Sequence, residues 1–183
     1  MKVIVRPDGA SRGNPGPAAI GVVIEDGQGA VLREISEAIG PATNNVAEYR
    51  ALLRGLEEAA ALGATEVEIR TDSQLVANQL RGTYRVRSPV LAGLHEAARR
   101  ILARFRHTEV RPVPREENAR ADRLANRALD RASGAADLLI ERIVQEVRAS
   151  GAEAVRGKIG RLDAPALRRL ALRLAEELAR RGA

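Results

Sequence analysis

Four carboxylates, Asp8, Glu48, Asp72 and Asp122, are the residues in this sequence best placed to do chemistry together. Asp8 follows the apolar run of residues 3–5 and Asp72 the alternating stretch of residues 66–71, while Glu48 and Asp122 fall near the starts of two amphipathic segments. Each has an ordinary reading when taken singly. Asp8 suits a turn, Glu48 a capping box begun by Asn45, Asp72 a helix cap, and Asp122 the first turn of a helix, where the dipole favours an acid. The helical wheel weakens these readings. At about 100° per residue, Glu48 lies over Ala51 and Gly55, away from the Arg50 and Arg54 face, and Asp122 borders the Ala121, Ala125 and Leu129 face. Acids at the margin of a buried surface suit a rigidly held site. Four of them converging cannot all stay ionised unaided, because like charges raise one another's pKa. A divalent cation removes that penalty. His95 and His107 fall outside these segments and read as structural or surface residues, so the donors are all oxygen, which selects Mg2+ or Mn2+. Two such ions about 4 Å apart clamp a phosphoryl centre for in-line displacement.

The elements that must position these acids follow from pattern. Residues 2–6 read as a strand closed by Pro7-Asp8-Gly9, and residues 10–17 as a loop rich in glycine and proline. Pro7 removes a ladder donor, so it belongs at the strand's end or where no ladder bond is needed. Residues 20–25 and 31–39 form a hairpin around Gly27-Gln28-Gly29. Asn44 or Asn45 caps a helix running to Leu62, with Tyr49, Leu52, Leu53, Leu56 and Ala60 on its apolar face. Residues 66–71 are a strand, and Asp72-Ser73 opens a short helix ending at Gly82. Ser88-Pro89 starts a helix with Leu91, Leu94, Ala98, Ile101, Leu102 and Phe105 on one stripe. Residues 108–113 are a last strand, and Asn118 begins a helix to about Ala132. The order βββαβααβα is an α/β domain with a five-stranded mixed sheet, an antiparallel meander followed by parallel strands. If the first and fourth strands are parallel neighbours, Asp8 and Asp72 emerge side by side at a carboxyl edge, where ligands of open α/β sheets gather.

Composition sets the limits. The 183 residues are 45% hydrophobic and contain no cysteine, which excludes disulfides, thiolate metal sites and cysteine nucleophiles. No apolar run reaches the roughly 20 residues a membrane span needs, and the first residues lack a secretory signal, so no membrane partner and a cytoplasmic location are expected. With only Tyr49, Tyr84 and Phe105 as aromatics, a base-stacking single-strand binder is not expected. The net charge of +6 suits a polyanionic partner. It is uneven: residues 1–130 carry net +2 and residues 131–183 net +4. The pattern divides the chain into a catalytic domain, residues 1–132, and a C-terminal helical extension, residues 133–183. In the extension, Ile140, Ile143, Val144 and Val147 form one amphipathic face and Leu167, Leu170, Ala171, Leu174 and Leu178 another, joined by residues 149–165 with three glycines. That is a helical hairpin, whose stripes pack on each other, on the domain or on a second copy in a homodimer. A direct nucleic-acid contact by this basic extension is the alternative.

The motifs D-G-A-S-R-G-N-P-G-P (Asp8 to Pro17), T-N-N-V-A-E-Y (Thr43 to Tyr49), T-D-S-Q-L-V (Thr71 to Val76) and P-R-E-E-N-A-R-A-D (Pro114 to Asp122) resemble, in order, those of the type I ribonuclease H (ribonuclease HI) family, in its short bacterial and archaeal form. The resemblance covers about residues 2–130. It implies the ribonuclease H-like fold and Mg2+-dependent endonucleolytic cleavage of the RNA strand of RNA–DNA hybrids, with double-stranded RNA as an open secondary substrate. It places the catalytic carboxylates on Asp8, Glu48, Asp72 and Asp122, and substrate contacts on Gly13, Asn14, Thr43, Asn44, Asn45 and Gln74. Of these, Thr43 and Asn14 match positions near a DNA-strand phosphate. The Gly13-Asn14 loop, Asn44, Asn45 and Gln74 approach the hybrid's wide minor groove, whose 2′-hydroxyls alone separate RNA from DNA. The expected mechanism uses two Mg2+ ions, with Mn2+ as a substitute. One, on Asp8 and Asp122, activates the attacking water; the other, on Asp8, Glu48 and Asp72, stabilises the departing 3′-oxygen. The products carry 5′-phosphate and 3′-hydroxyl ends.

The sequence departs from the family at two places. The histidine many relatives carry before the last helix is missing from residues 114–121, and Arg115 stands in the P-R-E context of the short forms as its candidate replacement, with Glu117 as another. The basic protrusion of the longer forms is also missing between Gly82 and Ser88. A catalytically silent binding module on the same fold is the competing reading, and the intact acid quartet opposes it, since a binder of polyanions gains nothing from clustered negative charge.

Overall fold

The apolar run that opens the chain forms β1, Lys2–Ser11, which continues well past Pro7 instead of closing there. The computed structural model describes residues 1–151 and 155–181, in two compact units, Met1–Leu129 and Asp130–Ala183. In the first unit, β1 is prolonged by antiparallel pairing with β2, Gly16–Asp26, from Val3 opposite Asp26 to Ser11 opposite Ala18. The expected loop of residues 10–17 is thereby shortened to residues 12–15. Pro7 pairs opposite Val22, two residues beyond the last pair that β1 makes with β4. The strand β3, Val31–Ala42, extends three residues further than the hairpin pattern indicates, through a bulge opposite Ala18 and Ala19.

Parallel pairing of β1 with β4, Glu66–Thr71, and of β4 with β5, His107–Pro112, completes a five-stranded sheet of order β3-β2-β1-β4-β5. The sheet is covered on both faces, which explains why β2 reads as a nearly continuous apolar run. Ile20, Val22 and Ile24 join Tyr49, Leu52 and Leu56 of α1, Asn44–Ala61, in the main core. Ala19 and Val23, on the other face by strand alternation, meet Leu129 and Leu124 of α4, Ala119–Ser150. The helices α2, Gln74–Leu80, and α3, Pro89–Leu102, add Val76, Leu80, Leu91 and Ala98 to the main core, with Phe105 just beyond α3.

Two helix starts and one helix end differ from expectation. Thr43, not Asn44 or Asn45, caps α1: its hydroxyl accepts from the Val46 N–H at 3.4 Å. Glu48 is therefore the fifth helical residue, outside both the first turn and any capping box. Ser73, not Asp72, caps α2 by accepting from the Val76 N–H. The helix expected to stop near Ala132 runs through Gly134 to Ser150. One interior glycine costs a helix only about 1 kcal/mol, too little to break it.

In the second unit, Ile140, Ile143 and Val144 of α4 bury against Val155, Leu162, Ala166 and Leu170. A short helix α5, Arg156–Ile159, precedes α6, Ala164–Arg181. The buried stripe of α6 runs through Ala166, Leu170 and the partly buried Leu174, whereas Leu167 and Ala171 are exposed. The side chain of Leu178, and residues 152–154 of the joining segment, lie outside the described set. No helix among the described residues is long and apolar enough to cross a membrane.

Candidate active site

Two side-chain-free positions bring the acid-bearing elements together. A Cβ at Gly9 would stand 2.2 Å from the Ala47 carbonyl carbon and the Glu48 nitrogen, and one at Gly21 would stand 2.0 Å from the Ala121 carbonyl oxygen. Only glycine permits such backbone contact. Gly9 thus lets α1 rest on β1 with Glu48 beside Asp8, and Gly21, the register partner of Asp8 on β2, lets α4 rest on the sheet next to Asp122. Asp72 arrives by pairing. The parallel register sets Val5 against Ile69, and three residues further along both strands brings Asp8 level with Asp72.

Asp8 and Glu48 are buried, and Asp72 and Asp122 half-buried. Burial, then the charges of Asp72 and Asp122, push the Asp8 carboxyl up to about 7. Burial, then Asp8 and Asp72, raise Glu48 well above the ordinary carboxylate range, against a hydrogen bond from the Gly9 N–H. Glu48 Oε2 is buried with no hydrogen-bond partner. Asp8 thus responds to Asp72 and Asp122, and Glu48 to Asp8 and Asp72. Arg115 Nη2 donates to Asp122 Oδ1 at 2.8 Å, and Asn126 Nδ2 donates to Asp122 Oδ2 at 3.2 Å. Asn118 Nδ2 donates to Asp72 Oδ1 at 2.7 Å and to the Pro7 carbonyl at 2.9 Å.

The donor set suits a hard divalent cation: oxygen ligands, Asp8 and Glu48 raised by burial and by neighbouring acids, and a buried carboxylate oxygen still lacking a partner. Among the described residues, however, no three of His, Cys, Asp or Glu are gathered closely enough to hold an ion as they stand. Asp72 and Asp122 have oxygens turned to Asn118, Arg115 and Asn126. Closing a ligand shell needs Asp122 to let go of Arg115, whose side chain is 75% exposed. Exposed ion pairs are weak, so that rearrangement is cheap.

The other sequence candidates fall on the β1–β2 turn and the starts of α1 and α2. Asn14 Oδ1 accepts from the Asn44 N–H at 3.1 Å, tying the β1–β2 turn to the start of α1. Gly13 occupies the left-handed region at φ 106°, and Gly13, Asn14, Asn44, Asn45 and Gln74 are exposed, with the capping Thr43 half-buried beside them. The Glu117 carbonyl accepts from Arg6 Nη1 at 3.1 Å, and no contact ties the Glu117 side chain to the acids. His95 Nε2 pairs with the Gln79 carbonyl at 3.2 Å and the ring stands edge-on to Tyr49, and His107 is exposed at the start of β5. Sequence reasoning passed over Gly9, Gly21, Asn118 and Asn126. The four-residue spacing from Asp122 to Asn126 was a signal for the last of these. Nothing local marks the other three, because their partners lie on distant segments.

Comparison with known proteins bears on the family and the fold. A family described as Reverse transcriptase-like matches residues 6–128. The "Bifunctional protein Rv2228c" of Mycobacterium tuberculosis is 49% identical over 140 residues, a match covering 75% of this chain and 38% of that protein. The "Ribonuclease HI" of Halobacterium salinarum is 50% identical over 123 residues, covering 67% of this chain and 62% of that one. The chain thus spans under two-thirds of the length of either relative. Among solved structures, LC11-RNase H1 in complex with RNA/DNA hybrid superposes with a TM-score of 0.68 at 46% identity, covering 71% of this chain and 98% of that one.

Proposed function

The chain belongs to the ribonuclease HI family, an enzyme family whose five-stranded fold it shares, and from that premise we propose that it hydrolyses the RNA strand of RNA–DNA hybrids, leaving 5′-phosphate and 3′-hydroxyl ends. The observation that carries the reading is the meeting of the elements that bear Asp8, Glu48, Asp72 and Asp122, where burial, then the charges of Asp72 and Asp122, raise the Asp8 carboxyl to about 7. A cluster of acids that oppose one another's ionisation is unfavourable for a protein that only binds polyanions. It suits one that binds cations. A relative at 46% identity has been captured with an RNA/DNA hybrid, which supports the choice of substrate.

Two divalent ions, Mg2+ in this reading with Mn2+ as a substitute, supply charge stabilisation at the scissile phosphate and a water of lowered pKa. The chain's own residues do the rest. Asp8, Glu48, Asp72 and Asp122 would hold these ions, Asp8 together with Asp122 and also with Glu48 and Asp72. Asp8 and Glu48 must release their protons before they can act, so cation affinity rises with pH through about 7. Arg115 pairs with Asp122 at 2.8 Å, and when released its guanidinium would be free to pair with a phosphate oxygen, the role that makes it a catalytic candidate. Gly13, Asn14, Asn44, Asn45 and Gln74 present short amides and backbone N–H groups to 2′-hydroxyls and bases. The cytoplasm is the compartment this substrate implies. Residues 1–132 carry this chemistry in our reading. Residues 133–183 act by packing, within one chain or between two copies, because the stripes of α4 and α6 already bury one another.

Matched RNA–DNA, RNA–RNA and DNA–DNA duplexes, each with Mg2+, Mn2+ or a chelator, test the proposal. The hybrid is cut with either metal and not with chelator, DNA–DNA is left intact, and the RNA–RNA arm decides the secondary substrate. An uncut hybrid with both metals overturns the reading.

A further inference from the structure

We propose that Asn118 is a positioning residue, whose amide fixes the Asp72 carboxylate against the β1 backbone so that Asp72 and Asp8 present their oxygens in one arrangement to a divalent cation. The inference rests on the acid cluster being the hydrolytic site.

The backbone pairing of β1 with β4 stops at Val5 and Ile69, three residues short of the two acids. At the level of Asp8 and Asp72 no ladder bond holds the strands in step. Asn118, the last residue of the short 3-10 turn Arg115–Asn118 that leads into α4, fills that gap. Its Nδ2 donates to the Pro7 carbonyl on β1 at 2.9 Å and to Asp72 Oδ1 at 2.7 Å. Both partners can only accept, so the amide orientation is determined by chemistry and not by a choice between nitrogen and oxygen. The side chain is 1% exposed, and its Oδ1 is buried without a partner. An amide kept only to fill space would be better replaced by an apolar group, since a buried orphan oxygen is destabilising. The two N–H groups are what the site needs. Serine has one hydroxyl hydrogen and reaches one acceptor; aspartate has no N–H and would repel Asp72. Outer partners of metal ligands commonly change affinity or activity 10–100-fold when removed.

The test measures Mn2+ binding by electron paramagnetic resonance on the full chain, with thermal melting in chelator as the check on folding. Wild type, Asn118→Ala, Asp72→Asn and the double variant are compared. Asn118→Ala is expected to weaken Mn2+ binding by about 10-fold or more and to lower kcat with little change in KM. The double variant is expected to bind within about twofold of Asp72→Asn alone, because Asn118 acts through Asp72 and the two losses do not add. Asn118→Ser, which keeps one donor, falls between wild type and alanine, and carries the comparison if the alanine variant fails to fold. Unchanged Mn2+ affinity in both Asn118 variants, or losses that add in full, overturns the role of Asn118 while the hydrolytic reading stands. Unchanged affinity in Asp72→Asn overturns the reading of the acid cluster itself.

Discussion

Two buried glutamates on neighbouring elements, Glu68 on β4 and Glu48 on α1, are 5% and 8% exposed, yet their acidities move in opposite directions. Glu68 accepts from Arg70 at 2.6 Å and pairs with Lys2 at 2.8 Å, and these cations, Arg70 foremost, hold its carboxyl down at about 2. Glu48 is raised by burial and by Asp8 and Asp72. Burial alone does not tell structure from function. What distinguishes the two places is compensation: around Glu68 every buried charge is answered, and around Glu48 the charges face one another with one oxygen unpaired. The first arrangement stabilises the fold. The second is tolerated by it, at a cost other parts of the domain must offset.

The contrast can be broken most sharply at Asp8. Asp8→Asn is expected to lower cleavage by about 10³-fold or more, as loss of a catalytic group does, yet to raise the melting temperature of the chelated protein at pH 8. Steady-state kinetics and calorimetry on one preparation check both, and a melting temperature that falls would mean the cluster is compensated after all. Asp72→Asn should likewise abolish cleavage while keeping hybrid binding in a gel-shift assay.

Glu68→Gln should do the reverse, losing about 1–3 kcal/mol of stability by denaturant titration with kcat and KM unchanged. The pH dependence sharpens the difference further. Between about pH 4 and 7 the folded protein keeps a proton on Asp8 that the unfolded chain has released, so stability with chelator falls as pH rises through that window. The contribution of Glu68 is complete above its ordinary value and is lost as pH falls toward about 2. Melting curves from pH 3 to 8 should therefore peak at mildly acidic pH for wild type, with the decline toward pH 8 reduced in Asp8→Asn. The smallest effect belongs to the second unit. Its ion pairs Asp137–Arg169 and Glu141–Arg173 are solvent-facing, and Arg169→Ala should cost under about 1 kcal/mol, a loss that 1 M salt largely erases.

Most of the sheet was legible because hydrophobic period and turn residues report it directly. The strand of residues 2–6 needed only its apolar run, that of residues 66–71 its alternation, and α1 its stripe through Leu52 and Leu56. Boundaries failed where a distant partner decides them. Pro7 and Gly9 read as a stop, but pairing with Val22 and Ile20 carries β1 through them. Gly134 read as a break, but the helix continues through it. The four acids were legible as candidates because each sits at an element end or on a buried margin. Their helpers were not. An asparagine that joins a carbonyl 111 residues away leaves no local trace.

Gly9 and Gly21 carry a practical lesson. The hydrogens they bear in place of side chains set how deeply two helices seat on the sheet, so even a methyl at either would lever an acid-bearing helix outward. Anyone reshaping what this protein accepts should leave that seating untouched and vary the exposed Asn45 and Gln74, where new side chains meet solvent but not the scaffold.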